Sequence, residues 1–308
     1  MKVLILSNGK DNGGNGSALK RAMDRHTDWE VRYVRRQPSF LGYEKDIEWP
    51  GKLPMPRGLL DIWNRADVVM MLGSFRMAQQ FPGYDRKPKV MYHLGEEFRL
   101  NAASYMARCR AEGIPQLVTT FDLLSYGPDL AWLPMICDTQ RMERERAVHR
   151  PGERIRVMQS PAARGPNDTD AFLDAMAGID VDVSLIEGVP WAEALRMKAQ
   201  ADVLFDSFAT GYGLSVIEAW GMGIPAVCGT GDDVTEARIK ATLGGLPYLS
   251  ATRQTLATVI LAYVNSPDLR RRYAERGRQV VNDFHAEAKV VERLLPVYEA
   301  AMDRAVAA

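Results

Sequence analysis

Apolar positions along this chain fall into short unbroken runs, separated by polar, glycine-bearing loops and amphipathic stretches. Residues 3–6, 66–72, 88–93, 116–120 and 131–134 are runs of the kind that parallel sheets bury on both faces. Residues 29–34 alternate, as a half-wet strand does, and 17–25 carry a helical spacing. The series restarts downstream. A strand at 154–158, a helix at 169–177 and a strand at 181–186 precede a helix at 190–200 that starts on proline, where a missing N–H costs nothing. A strand at 202–206, a glycine turn, a helix at 214–221 and a strand ending at Cys228 follow. From Arg253 onward the pattern is helical only and closes with a helix over 286–304. Two such series predict an α/β protein with two parallel sheets covered by helices. The charged stretch 140–153, ending in Pro151-Gly152, reads as a linker and divides the chain into domains at 1–148 and 149–308. The terminal helices are placed to cross back over the first domain.

The stretch with the most chemistry is Thr210-Gly-Tyr-Gly-Leu-Ser-Val-Ile-Glu218, between a buried strand and a short helix. Gly211 and Gly213 let backbone approach a ligand closely. The helix starting at Leu214 aims its free N–H groups at that ligand, which suits a diphosphate. Glu218 falls about one turn in, within reach of a sugar or ribose carried by the phosphates. Three further loops stand at carboxyl ends of predicted strands, where α/β proteins bind ligands. Asn8 to Ser17, with Gly14 and Gly16, reads as a backbone-donor loop for phosphate or sugar, or as a flexible loop. Its spacing does not fit G-x-G-x-x-G. His93, in Tyr92-His-Leu-Gly-Glu-Glu97, reads as a general acid or sugar hydrogen-bond donor, or as a satisfied histidine at a strand end. Arg164 follows the first strand of the second series, where its planar fork suits a phosphate. Glu187-Gly-Val189 would flank a nucleobase.

Bulk properties narrow the partners. The 308 residues are 46% apolar and 25% charged, as in a soluble globular protein, and 39 basic residues balance 39 acidic ones, so no global field draws nucleic acid or membrane. A local basic patch (Lys20, Arg21, Arg25, Arg32, Arg35, Arg36) lies near Trp29, Tyr33 and Phe40; it reads as a solvated face, or as a seat for a polyanion such as DNA bearing a hydroxylated base. Cys109, Cys137 and Cys228 are widely spaced, which argues against a disulfide framework or zinc site and for a reducing, cytoplasmic setting. The first apolar run is too short for a signal peptide, and no run reaches a membrane-spanning length. Asp180-Val-Asp182 has a metal-site pattern but opens a strand, facing away from the ligand edge. No metal is expected.

Taken together, these segments resemble the GT-B fold glycosyltransferases, specifically the family 4 type (glycosyl transferases group 1), over nearly the whole chain. That resemblance implies two Rossmann-like domains facing each other across a cleft, with C-terminal helices crossing back. It implies retaining transfer of a hexose or pentose from a nucleotide-diphosphate sugar, a UDP-sugar by expectation, to a saccharide hydroxyl or a hydroxylated DNA base. His93, Glu218 and Arg164 would be catalytic; Gly14, Gly16, Glu187, Val189, Gly211, Tyr212, Gly213, Leu214 and Ser215 would hold the donor. The chain departs from the family's E-x7-E pattern, because Thr210 stands where the first Glu belongs. Asp206-Ser207 resembles a bacterial version that also lacks it. Asn167 stands where a diphosphate-binding Lys is expected, with Lys10 or Lys20 as substitutes. The same fold hosts nucleotide-sugar epimerases, and the missing groups would also fit a nucleotide-sugar-binding protein without turnover.

Overall fold

The computed structural model describes all residues except 10, 12, 51–52, 151, 162–167 and 308, with side chains of 305–307 also left aside. The chain forms two compact units: 1–119, 123–136 and 287–308 in unit 1, and 120–122 with 137–286 in unit 2.

Unit 1 contains β1 (Lys2–Ser7), α1 (Asn15–His26), β2 (Glu30–Arg35), β3 (Ile47–Glu48), α2 (Leu59–Arg65), β4 (Val68–Leu72), β5 (Lys89–His93), α3 (Gly95–Ala111), β6 (Gln116–Val118) and β7 (Leu130–Trp132). Among the described residues its strands make one parallel sheet in the order β3-β2-β1-β4-β5-β6-β7. β4 and β5 are buried along their whole length, as unbroken apolar runs require when both sheet faces are covered. The C-terminal helix, Glu287–Ala307, is part of this unit. Its Val290, Val291, Leu294 and Tyr298 share a core with Ile5, Leu19, Val68 and Tyr92. Glu287, at its start, takes Arg25 at 2.9 Å and Arg21 at 3.3 Å.

Unit 2 contains α4 (Thr139–Arg146), β8 (Arg156–Gln159), α5 (Thr169–Met176), β9 (Asp182–Leu185), α6 (Trp191–Lys198), β10 (Val203–Phe205), α7 (Leu214–Gly221), β11 (Ala226–Cys228), α8 (Asp233–Leu243), β12 (Leu249–Ser250), α9 (Leu256–Asn265) and α10 (Pro267–Val280). The described strands form a parallel sheet ordered β12-β11-β10-β8-β9. Side-chain caps set several helix starts. Asp138, Asp232 and Ser266 each accept a first-turn N–H, and Pro267 follows Ser266 at the first helical position.

Two expectations about the division are corrected. Residues 139–146 are not linker but the capped helix α4, which packs on α6 and α7. Its charges hide a buried Met142, and Arg146 donates to the carbonyls of Ala199 and Ala201 at 2.6 and 2.8 Å. The boundary therefore lies at 136/137 rather than 148/149, and the tail from Glu287 groups with unit 1 rather than the second domain. Among the described residues no helix is long and apolar enough to cross a membrane.

Candidate functional site

In unit 2 the strand order reverses between β8 and β10, so their C-terminal loops border the crevice where doubly wound sheets take ligands. The loop after β10 is the glycine turn. Gly211 has φ +77°, a conformation that favours glycine, and a side chain there would press on the Cδ1 end of Ile239 at 2.9 Å. Its N–H bonds the Gly229 carbonyl at 2.8 Å, tying the turn to the end of β11. Gly213 is the N-cap of α7, and Leu214 and Ser215 form the first turn. The Ser215 hydroxyl is buried without a hydrogen-bond partner. The Tyr212 ring points the other way, 4.8 Å from Trp220 and bonded through its hydroxyl to His285 at 3.2 Å. Tyr212 is therefore a core side chain that contributes only backbone to the turn.

Asp206 ends β10 beside this turn, its Oδ2 accepting the Gly213 N–H at 3.2 Å. Burial pushes its carboxyl up to about 6, although the Gly213 N–H and the charge of Lys198 pull it down. Glu218 does not face the glycine turn alone. Its Oε1 accepts the Trp191 indole N–H at 2.6 Å and its Oε2 the Lys198 ammonium at 2.5 Å, with Lys198 2% and Glu218 5% exposed. Sequence reasoning missed Lys198 and Trp191. A helix lysine looks solvent-bound until its partner on another helix is known. Glu187 and Val189 are half-buried in the loop after β9, directly before Trp191. Arg164 and Asn167, like Lys10, lie outside the described residues.

Unit 1 corrects the reading of its glycine loop. Asp11 sits in the left-handed region at φ +50° and is 5% exposed. Its carboxylate accepts the N–H groups of Asn15 and Gly16 at 2.8 and 2.9 Å and the Tyr33 hydroxyl at 2.8 Å. Burial pushes this carboxyl up while those donors pull it down. The Gly14 N–H goes to the Asp11 carbonyl at 2.8 Å. The Gly14 and Gly16 amides that were expected to hold the donor are thus occupied by the chain's own acid. Gly16 is glycine for packing, since a Cβ would lie 2.3 Å from the Tyr33 ring.

His93 is likewise not a surface group. It is 0% exposed, stacked 4.0 Å from Phe98, with Nε2 bonded to Gln116 Oε1 at 3.0 Å and Nδ1 unpartnered. Burial lowers its pKa to about 4, against the Gln116 bond. The imidazole presents no face to solvent, and its unpartnered Nδ1 also departs from the satisfied strand-end histidine. Five of the six cations of the basic patch meet carboxylates, two of them sharing Glu287, while Arg36 donates to Asn8 Oδ1 at 3.3 Å. Arg35 pairs with Glu48 at 2.9 Å, Lys20 with Asp24 at 2.5 Å, Arg32 with Glu30 at 3.8 Å, and Arg21 and Arg25 with Glu287. Asp180 and Asp182 flank Arg154 at 3.0 and 3.5 Å, where β9 begins.

Asp206 and His93 give opposite pH dependences. The raised pKa of Asp206 makes its contribution fully present below 3.8 and lost as pH rises through about 6. His93's contribution is present above 6.5 and lost as pH falls through about 4. Each is at most roughly 3 kcal/mol. Asp206→Asn keeps an acceptor for Gly213, so it should stabilise the protein at pH 7 but not at pH 4, measured by urea denaturation. A gain equal at both values would rule out ionisation as the cause.

No protein-family model matches the sequence, and no curated protein does. Solved structures do match in shape. Anabaena HepE, solved with UDP and glucose, aligns with TM-score 0.68 at 12% identity, covering 97% of this chain and 100% of its own. Sucrose-phosphate synthase of Thermosynechococcus elongatus aligns with TM-score 0.67 at 13% identity, covering 99% and 100%. UDP-GlcNAc 2-epimerase of Neisseria meningitidis, bound to UDP-GlcNAc, aligns with TM-score 0.58 at 13% identity, covering 96% and 99%. With its parallel sheets of seven and five strands, each packed with helices, the chain has the α/β architecture of the GT-B fold that glycosyltransferases and epimerases share.

Proposed function

We propose that this protein is a glycosyltransferase that moves a sugar from a nucleotide-diphosphate donor, a UDP-sugar by preference, to a saccharide hydroxyl with retention at the anomeric carbon. The observation that carries this reading is the turn Gly211–Gly213 at the crevice of the unit 2 sheet. It couples an α-helix N-terminus to an unpaired buried hydroxyl, Ser215. Backbone N–H groups at such a helix end stabilise the charge that develops on a departing diphosphate. In this reading Arg164 supplies the second source of positive charge, and no metal is invoked. Glu187 and Val189 border the nucleobase, and Glu218 takes the ribose. His93 acts through the packing of the β5 end rather than by contact. A DNA acceptor is less favoured, because five of the six cations of the patch that would carry it have carboxylate partners.

The test is a nucleotide-release assay over UDP-, GDP- and ADP-sugars, each alone, with sugar acceptors and with hydroxymethylated DNA. Release from one donor, raised by one acceptor, is expected, and the product should keep the donor's anomeric configuration by NMR. Arg164→Ala should lower turnover by roughly 10²- to 10³-fold. The epimerase neighbour motivates a second reading, which predicts donor interconversion without an acceptor. Binding without either reaction would leave a nucleotide-sugar-binding protein.

A further inference from the structure

Asp206 follows β10 directly, at the point where the strand order reverses, and its backbone is pinned on both sides. Its N–H donates to the Val227 carbonyl at 3.1 Å, and its carbonyl accepts the Gln159 side-chain amide at 3.0 Å. The carboxylate is thereby held against the N-cap of α7, with Oδ2 on the Gly213 N–H at 3.2 Å. It is a poorly satisfied acid. Asp11 takes three donors, whereas among the described residues the Gly213 N–H alone donates to the Asp206 carboxylate. The charged or titratable groups facing it, again among the described residues, are Lys198 on α6 and Cys228 on β11. Lys198 donates to Glu218 of α7 at 2.5 Å, and burial pushes the Cys228 thiol well up, which keeps it neutral. Asp206 itself is half-buried, not sealed.

A helix N-terminus favours one anion, and a second anion beside the first is repelled. A carboxylate and a diphosphate therefore compete for the Gly213 end of α7. The diphosphate of a nucleotide-sugar is esterified at both ends, so it lacks the ionisation near pH 6 of a phosphate monoester. The carboxyl is the group that can give up its charge. Burial already pushes it up to about 6, and a neighbouring anion pushes it further. As the neutral acid it donates its O–H to a phosphate oxygen instead of repelling it.

We infer that Asp206 contacts the donor's diphosphate as a neutral acid, so that each nucleotide-sugar bound takes up one proton from solvent onto that carboxylate. This contact presupposes the nucleotide-sugar reading. The proton then lies beside the oxygens on which charge develops as the sugar departs, and it offsets that charge.

Calorimetry of UDP-, GDP- and ADP-glucose on the full-length protein, between about pH 5.5 and 8, tests it in buffers of different ionisation enthalpy. Affinity should fall by up to roughly tenfold per pH unit above 6, with about one proton taken up per ligand at pH 7. Asp206→Asn keeps an acceptor for Gly213 without the charge. It should take up no proton, lose the slope and bind roughly ten- to a hundredfold tighter than the wild type at pH 8. The proton count is read on the wild type, so it decides even if the variant folds poorly. Binding by the wild type that is equal at every pH, with no proton uptake, would overturn the inference and leave the nucleotide reading standing. The same slope and uptake in Asp206→Asn would assign the proton to another group and overturn it too. If no nucleotide-sugar binds either protein at any pH, both fall together.

Discussion

Lys198→Met is expected to cost about 3–5 kcal/mol of stability, because it strands the Glu218 carboxylate in the interior of unit 2 without its counter-charge. The estimate follows from burial: Lys198 is 2% exposed, and its ammonium sits 2.5 Å from Oε2. Glu218→Ala should cost a similar amount by the converse route, leaving the ammonium unpaired. Removing both groups together is a different matter. Lys198→Met with Glu218→Met replaces the pair by apolar volume and should recover most of the loss, since an interior ion pair gains little over well-packed hydrocarbon. A double-mutant cycle read from urea midpoints measures this directly. If the two single costs simply add in the double variant, the groups are independent and the ion pair contributes nothing of its own. The cycle also bears on function. Lost turnover in Glu218→Ala alone does not show contact with the donor, because that variant also loses stability. A variant such as Trp191→Phe, which spares the ion pair, is the cleaner probe.

Much of the fold was legible because parallel strands buried on both faces leave unbroken apolar runs. β1, β4, β5 and β10 all appear as such runs, and their positions are right within a residue or two. The glycine turn was legible for a related reason: Gly211 needs a positive φ and a close approach, and few residues other than glycine allow both. What escaped the reading depended on partners distant in sequence. Lys198 meets Glu218 across 20 residues of chain and looked like any charged helix position. His93 is sealed by Phe98 on α3, a helix whose weak amphipathic pattern gives no sequence signal, so its burial could not be seen. α4 was hidden by its own charges, since Arg141 and Arg146 point inward to an indole and two carbonyls rather than to water. Asp11 left no capping signal either. Its acid stands three residues before the N-cap position, Gly14, outside the place where a capping side chain is read from sequence.

Asp11→Ala should be the second large effect, at about 3–5 kcal/mol. Three donors lose their acceptor at once: the N–H groups of Asn15 and Gly16 and the Tyr33 hydroxyl. Two of them are backbone amides in the first turn of α1, and unsatisfied buried donors cost about 1–3 kcal/mol each. Urea denaturation of the variant beside the wild type measures the total. The same geometry predicts a rescue. The missing group is a carboxylate cradled by a helix N-terminus, so the variant retains an anion site of that size in place of the lost side chain. Formate or acetate should therefore stabilise Asp11→Ala, with a saturable dependence on concentration, and leave the wild type unmoved at matched ionic strength. Equal stabilisation of both proteins would be an ordinary salt effect and would mean that the cradle collapses when the acid is removed. Selective rescue would show that α1 ends in a working anion site that the chain fills with its own residue.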